Sequence, residues 1–232
     1  MTRKTYGGVE GLEIAPEGHS GPASVLYMHG GGFTIGSART HKWMVARIAK
    51  ASGRSIFSVD YRLAPKHPFP AAVDDCEAAF DALAVHGPVA VAGDSAGGCL
   101  ALGLCATRRP ERAVLLSPVV DFAGGEGDYS REILLPRAWV NRAFRHYAAG
   151  ADPADPRLSP IRADLSAAPP MLVEVAEGEM LESHSRRVLE VIPHARLEVT
   201  PGVAHVWQLN AGWMAQADAS VARIGAFLRA GL

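Results

Sequence analysis

The stretch from Val89 to Leu102 restricts the fold more than any other part of the chain. Val89-Ala90-Val91-Ala92 is a short run of β-branched and small apolar residues, Gly93-Asp94-Ser95-Ala96-Gly97 follows, and Gly98-Cys99-Leu100-Ala101-Leu102 reads as the start of an apolar helix. That order is strand, tight turn, helix. A serine at the tip of such a turn takes strained backbone geometry, so the residues two away on either side must lack side chains if strand and helix are to approach. A helix beginning just after Ser95 directs free N–H groups and its positive dipole end at the serine. A bare G-x-S-x-G arises by chance in roughly one chain in ten of this length, so its weight depends on its surroundings.

Those surroundings alternate. Tyr6–Ile14 reads as an edge strand, and 23–28 as a buried strand broken by His29-Gly30-Gly31-Gly32-Phe33. Thr40 can cap a helix to about Ser52 that turns Trp43, Val45, Ile48 and Ala49 inward and stops at Gly53. A strand at 55–59 leads through Asp60-Tyr61-Arg62-Leu63-Ala64-Pro65 and a proline-rich loop to a helix over 71–84. After the serine turn come a helix to about Thr107 and a strand over 113–116. Later segments repeat the pattern: strand 171–176, helix 181–191, strand 195–199. A final helix from about Trp213 to Leu228 packs Trp213, Ala217, Val221, Ile224 and Leu228 on the sheet. Strands separated by helices of this length predict an α/β fold with a mainly parallel sheet.

The 232 residues suit one domain spanning 1–232. Residues 121–166 break the rhythm. Gly124-Gly125-Glu126-Gly127-Asp128 is loop-like, 136–149 is a polar–aromatic helix, and 152–160 is rich in proline and aspartate, so this segment is expected to be a small cap-like insertion. A net charge of −1 gives no reason to expect nucleic acid or an anionic surface as partner. No apolar run approaches the roughly 18 residues that span a bilayer, and no secretory signal is visible at the start. Cys76, Cys99 and Cys105 lack metal spacing and read as buried, reduced thiols of a cytoplasmic protein. No histidine or acid pair sits at metal-ligand spacing, so no metal and no cofactor is expected.

A serine hydroxyl needs a base. His41, His86, His146 and His184 fall in or at the ends of expected helices, His67 in the proline-rich loop, and His194 just before a strand. His205 follows the last strand and the turn Pro201-Gly202, at the carboxyl end of the sheet where ligands gather in open α/β folds. The base needs an acid to fix its tautomer, and Glu177, Glu179 and Glu182 all stand at the end of the preceding strand. The order serine, acid, histidine is that of α/β-hydrolases. An oxyanion would find the N–H of Ala96 and those of Gly31 and Gly32, which no side chain obstructs.

Four segments, in order, resemble the signatures of hormone-sensitive-lipase-like (bacterial family IV) esterases of the α/β-hydrolase superfamily: His29-Gly30-Gly31-Gly32-Phe33, Asp60-Tyr61-Arg62-Leu63-Ala64-Pro65, Gly93-Asp94-Ser95-Ala96-Gly97-Gly98 and Pro201-Gly202-Val203-Ala204-His205-Val206-Trp207. The similarity runs from about residue 6 to the C-terminus. It implies a carboxylesterase on an α/β-hydrolase fold, with Ser95, His205 and the donors Gly31, Gly32 and Ala96 in the family's roles. The family's Ala-Glu-x-Asp-x-Leu turn lies over Ala176-Glu177-Gly178-Glu179-Met180-Leu181 and places Glu179 on the acid, a glutamate where aspartate is commoner. Family members usually carry further helices before the first strand. The chain starts almost at that strand, so a reduced cap, a more open site and apolar surface available to a homodimer are expected. Lys66 stands where the family often has an acid, without a functional reason.

The expected reaction is hydrolysis of short-chain acyl esters through an acyl-enzyme, with Phe33, Trp139, Phe144, Trp207 and Leu209 as pocket walls. Lactone, thioester or amide hydrolysis on the same residues is the alternative, and a non-catalytic small-molecule receptor on the same fold a more distant one.

Overall fold

In this computed structural model, which describes residues 1–124 and 127–230, the apolar runs become eight strands and the longer amphipathic runs six helices. The strands are β1 (Thr2–Tyr6), β2 (Val9–Ile14), β3 (Val25–Met28), β4 (Ile56–Val59), β5 (Ala90–Asp94), β6 (Ala113–Leu116), β7 (Met171–Ala176) and β8 (Arg196–Thr200). The helices are α1 (Ala38–Ser52), α2 (Ala71–Ala84), α3 (Ala96–Thr107), α4 (Arg137–Ala148), α5 (Glu182–Val191) and α6 (Ala215–Arg229). One sheet forms in the order β1-β2-β4-β3-β5-β6-β7-β8. The two pairings of β2, with β1 and with β4, are antiparallel, and all others are parallel.

Strands β3 to β7 are buried at every residue, as a sheet covered on both faces requires. Their side chains alternate between two cores. Leu26, Val91, Leu115 and Val173 meet α2, α3 and α5, whereas Tyr27, Ala92, Val114 and Leu172 meet α1 and α6. Each leucine or valine among them contributes about 1.5–3 kcal/mol on burial. Two residues of these buried strands are acidic, Asp94 at the end of β5 and Glu174 in β7. Glu174 in β7 accepts hydrogen bonds from Ser220, Gln208 (3.1 Å) and Arg223 (3.0 Å), so the charge that would be costly alone is paired. Its bond to Gln208 also anchors the segment just after His205.

The structure departs from the sequence expectations at four places. The edge strand over 6–14 is a hairpin, β1 and β2 turning at Gly7-Gly8, whose positive φ values of 59° and 80° suit a tight turn. Helix α1 is capped by Ser37, not Thr40; Thr40 is the third helical residue and returns the bond in a capping box. Trp43 is 62% exposed because it lies opposite the Val45–Ile48–Ala49 face. Trp213 is 92% exposed and precedes α6, which starts at Ala215, so it packs on nothing. Cys76, Cys99 and Cys105 are buried and unpaired. Burial raises the pKa of all three thiols. No helix among the described residues is long and apolar enough to cross a membrane.

Within 121–166, Gly125 and Glu126 lie outside the described residues. Helix α4 buries Val140, Ala143 and Tyr147. The Tyr147 ring stacks on Phe33 at 3.7 Å, and Trp139 and Ala143 lie against Gly32. The helix is thereby fixed beside the triple-glycine loop.

Candidate active site

Ser95 sits between β5 and α3 with φ 53° and ψ −113°. A left-handed φ is costly for a residue with a side chain, about 1–3 kcal/mol, and the surroundings hold it there. The Ser95 N–H donates to the Leu116 carbonyl (2.8 Å), and its own carbonyl accepts from Val119 (3.1 Å) and Cys99 (3.3 Å). The flanking glycines answer a crowding constraint: a Cβ on Gly97 would overlap the Met28 carbonyl, and one on Gly93 would overlap the Gly97 carbonyl. Gly31 and Gly32 have φ values of 119° and 59°. The N–H groups of Gly31, Gly32 and Ala96 find no acceptor among the described residues, and Ala96 opens α3, where N–H groups lack helical partners.

His205 lies in the loop after β8 and is buried. Its Nδ1 is 3.3 Å from Oε2 of Glu179, which is buried as well. The separation is that of an ion pair, yet the angles do not close a regular hydrogen bond, and neither carboxylate oxygen has another donor. Hydrogen bonds of catalytic groups are often poorly aligned before substrate binds. The other two glutamates are occupied elsewhere. Glu177 is exposed and pairs with Arg131 (3.4 Å). Glu182 accepts from the Gly178 N–H (2.6 Å) and pairs with Arg186, bracing the turn that carries Glu179.

Two features have no counterpart in the sequence expectations. Glu132 accepts hydrogen bonds from the N–H groups of Leu134 (2.7 Å), Leu135 (2.9 Å) and Met180 (3.0 Å). It therefore ties the loop before α4 to the residue that follows Glu179. Burial pushes its pKa up, but those three N–H groups and the nearby His205 outweigh burial and leave it lowered. No pattern in the sequence marks an acid in an irregular loop as a neighbour of His205.

The second feature lies beneath the triple-glycine loop. Asp94 is buried, accepts from Tyr27 Oη (2.7 Å) and stands 3.3 Å from His41 Nε2. Burial opposes the charge on each, but the attraction between them wins: the His41 pKa is raised and that of Asp94 lowered. His29, stacked on Tyr61 at 4.3 Å, is lowered to about 4 by burial and is neutral near pH 7. The serine motif names Asp94, and helix position alone marks His41 only as a satisfied histidine. His184 is also satisfied and buried; its Nδ1 accepts from the Val120 N–H (3.2 Å).

A cavity of about 300 Å³ opens over Ser95, with Gly31, Gly32 and His205 in its lining and Leu135, Trp139 and Leu209 among its apolar walls. Three expected wall residues are elsewhere. Phe33 is fully buried against Tyr147, because its left-handed φ of 60° turns the ring into the core. Trp207 is buried and its Nε1–H points to the Gln216 carbonyl (3.4 Å). Phe144 lines a separate cavity with Phe122 and His184, on the inner side of α4. A more enclosed apolar cavity, near Cys76, Leu100 and Leu104, contains none of the candidate residues. No group of metal-ligating side chains occurs among the described residues.

This geometry has close parallels. A family model described as an alpha/beta hydrolase fold matches residues 25–209. The chain is 34% identical over 224 residues to an acetyl-hydrolase of Streptomyces hygroscopicus, covering 89% of this chain and 75% of that protein. It is 31% identical over 239 residues to an esterase of Acinetobacter venetianus, covering 95% and 78%. Among solved structures, an esterase from the bacterial hormone-sensitive lipase family superimposes with a TM-score of 0.94 at 35% identity, covering 99% of this chain and 84% of that one.

Proposed function

The chain belongs to the hormone-sensitive-lipase-like esterases of the α/β-hydrolase fold, and from that premise we propose that it hydrolyses short-chain acyl esters with Ser95, His205 and Glu179 as its catalytic triad. The observation that carries this reading is the left-handed Ser95, which opens into one cavity with His205 and the amides of Gly31 and Gly32.

The Ser95 Oγ attacks the ester carbonyl carbon as His205 Nε2 takes the hydroxyl proton. The carbonyl oxygen becomes an oxyanion and accepts from the N–H groups of Gly31, Gly32 and Ala96, each worth ~10²–10³ in rate when donors of this kind are removed singly. Collapse breaks the bond to the leaving oxygen, which takes the proton from His205 and departs as the alcohol. Water then adds to the acyl carbon and gives a proton to His205. The second collapse frees the carboxylic acid and returns that proton to Ser95. Glu179 holds the imidazole and stabilises its charged form. The segment 121–166 supplies Leu134, Leu135 and Trp139 to the cavity and acts as a small cap.

A cavity of about 300 Å³ suits a small acyl group. With p-nitrophenyl esters of increasing chain length, kcat/KM is expected to peak between acetate and butyrate and to fall by about tenfold or more at decanoate, since each methylene left in water forfeits about 0.8 kcal/mol. A steady rise to decanoate would overturn the short-chain assignment.

A further inference from the structure

Nine large apolar side chains stand exposed among the described residues; three of them, Ile35, Leu134 and Leu209, line the cavity, and Trp43, Ile133 and Trp213 lie on segments next to its lining. Ile133 is next to Leu134, and Trp43 is one helical turn beyond Thr40, another lining residue. Trp213 follows Gly212, which lies against the Arg47 guanidinium, and that group in turn donates to the Trp43 carbonyl (3.3 Å). Scattered exposed apolar residues are ordinary, but a contiguous set around a cavity marks an interaction surface.

The helices beside this set carry charge of one sign, while Glu132 and Glu177 stand near Ile133 and Asp218 accepts from the Gly212 N–H. Helices α1 and α4 flank the mouth, contributing Thr40 and His41 on one side and Trp139 on the other. Together they hold Arg39, Lys42, Arg47, Lys50, Arg137, Arg142 and Arg145 and not one acidic residue, in a chain whose net charge is −1. Arg39, Lys42, Arg47, Arg142 and Arg145 form no ion pair with a carboxylate among the described residues. Most arginines elsewhere are paired, as Arg54, Arg62, Arg108 and Arg162 are. The ammonium of Lys42 instead lies 4.9 Å over the Trp43 ring. Tryptophan at the edge of an apolar patch, with lysine and arginine around it, is the composition that settles at a lipid–water boundary.

We propose that this basic, apolar rim docks on an anionic lipid–water interface, with the mouth of the cavity facing the lipid. Apolar side chains alone would suit a second copy of the chain equally well. A surface carrying several unpaired cations repels its own copy and favours an anionic partner. The docking surface stands apart from the catalytic assignment, because its residues Trp43, Trp213, Lys42 and Arg145 take no part in the reaction.

Co-sedimentation tests it, with vesicles of phosphatidylglycerol and phosphatidylcholine in equal parts and vesicles of phosphatidylcholine alone. The partition coefficient is expected to be about tenfold or more higher on the anionic vesicles at low salt, and to fall as salt screens the cations. Trp43→Ala with Trp213→Ala, and separately Lys42→Glu with Arg145→Glu, are expected to lower it by about tenfold. Hydrolysis of p-nitrophenyl acetate in free solution stays unchanged in both double variants. Equal, salt-independent partition of the unaltered protein on the two vesicle types would overturn the proposal. So would a dimer in solution that Trp213→Ala dissociates, which would assign the patch to a second copy. A loss of ester hydrolysis by Ser95→Ala without loss of vesicle binding separates this surface from the triad.

Discussion

Exchanging Asp94 for asparagine removes one charge and almost no volume from the layer beneath Gly30, against which the Asp94 carboxylate packs. Asp94 and His41 are both buried and stand 3.3 Å apart. Breaking such a pair from one side leaves an uncompensated group and costs about 3–5 kcal/mol. The asparagine oxygen still accepts from Tyr27, which places Asp94→Asn at the lower end, about 3 kcal/mol. A domain of this size loses about 2–4 °C in Tm per kcal/mol, so the melting temperature should fall by roughly 6–12 °C near pH 5.5. The effect should depend on pH. His41 is raised above its unfolded value, so its contribution is complete below about pH 6.5 and is lost as pH climbs through the folded value. Asp94 is lowered, so its contribution is present above about pH 3.9 and is lost as pH falls. The pair is therefore whole between those limits and fades at alkaline pH. Thermal unfolding of the original protein and the variant at about pH 5.5 and pH 8.5 measures both parts. A loss near 1 kcal/mol or less, or a difference that does not narrow at the higher pH, would refute the paired-charge reasoning.

Three further variants address the acid and its support. Glu179→Gln should lower kcat by ~10²–10⁴, while Glu177→Gln, an exposed partner of Arg131, should change it little; the reverse ranking in steady-state kinetics reassigns the acid. Glu132→Gln removes a negative charge near His205. A carboxylate there favours the charge that His205 gains in the transition state, so kcat/KM for p-nitrophenyl acetate should fall. An unchanged kcat/KM would leave Glu132 only its backbone bonds.

Much of this was legible in the residues because the parallel sheet imposes a simple code. Helix α2 and strands β6 and β7 begin and end where the apolar pattern places them, since a strand buried on both faces reads as a nearly continuous apolar run, broken in β7 only by the paired Glu174. The serine turn was readable for a similar reason: only glycine fits where Gly97 meets the Met28 carbonyl. Pattern fails where tertiary packing chooses between equal candidates. Trp43 and Trp213 sit at apolar spacing yet are exposed, the first because α1 turns Val45, Ile48 and Ala49 inward and the second because α6 begins only at Ala215. Phe33 follows the triple glycine and turns into the core by a single left-handed residue. Choosing among Glu177, Glu179 and Glu182 needs the turn geometry, and Glu132 comes near His205 only through a long insertion that carries no periodicity.

Whether Ser95 is the nucleophile that carries the acyl group is decided by covalent trapping. The protein is treated with an alkyl fluorophosphonate, and the adduct is located by peptide mass spectrometry beside Ser95→Ala and His205→Ala variants. One adduct is expected, on Ser95, abolished by Ser95→Ala and slowed by ~10³-fold or more in His205→Ala. Labelling at another residue, with ester hydrolysis surviving Ser95→Ala, would contradict that assignment.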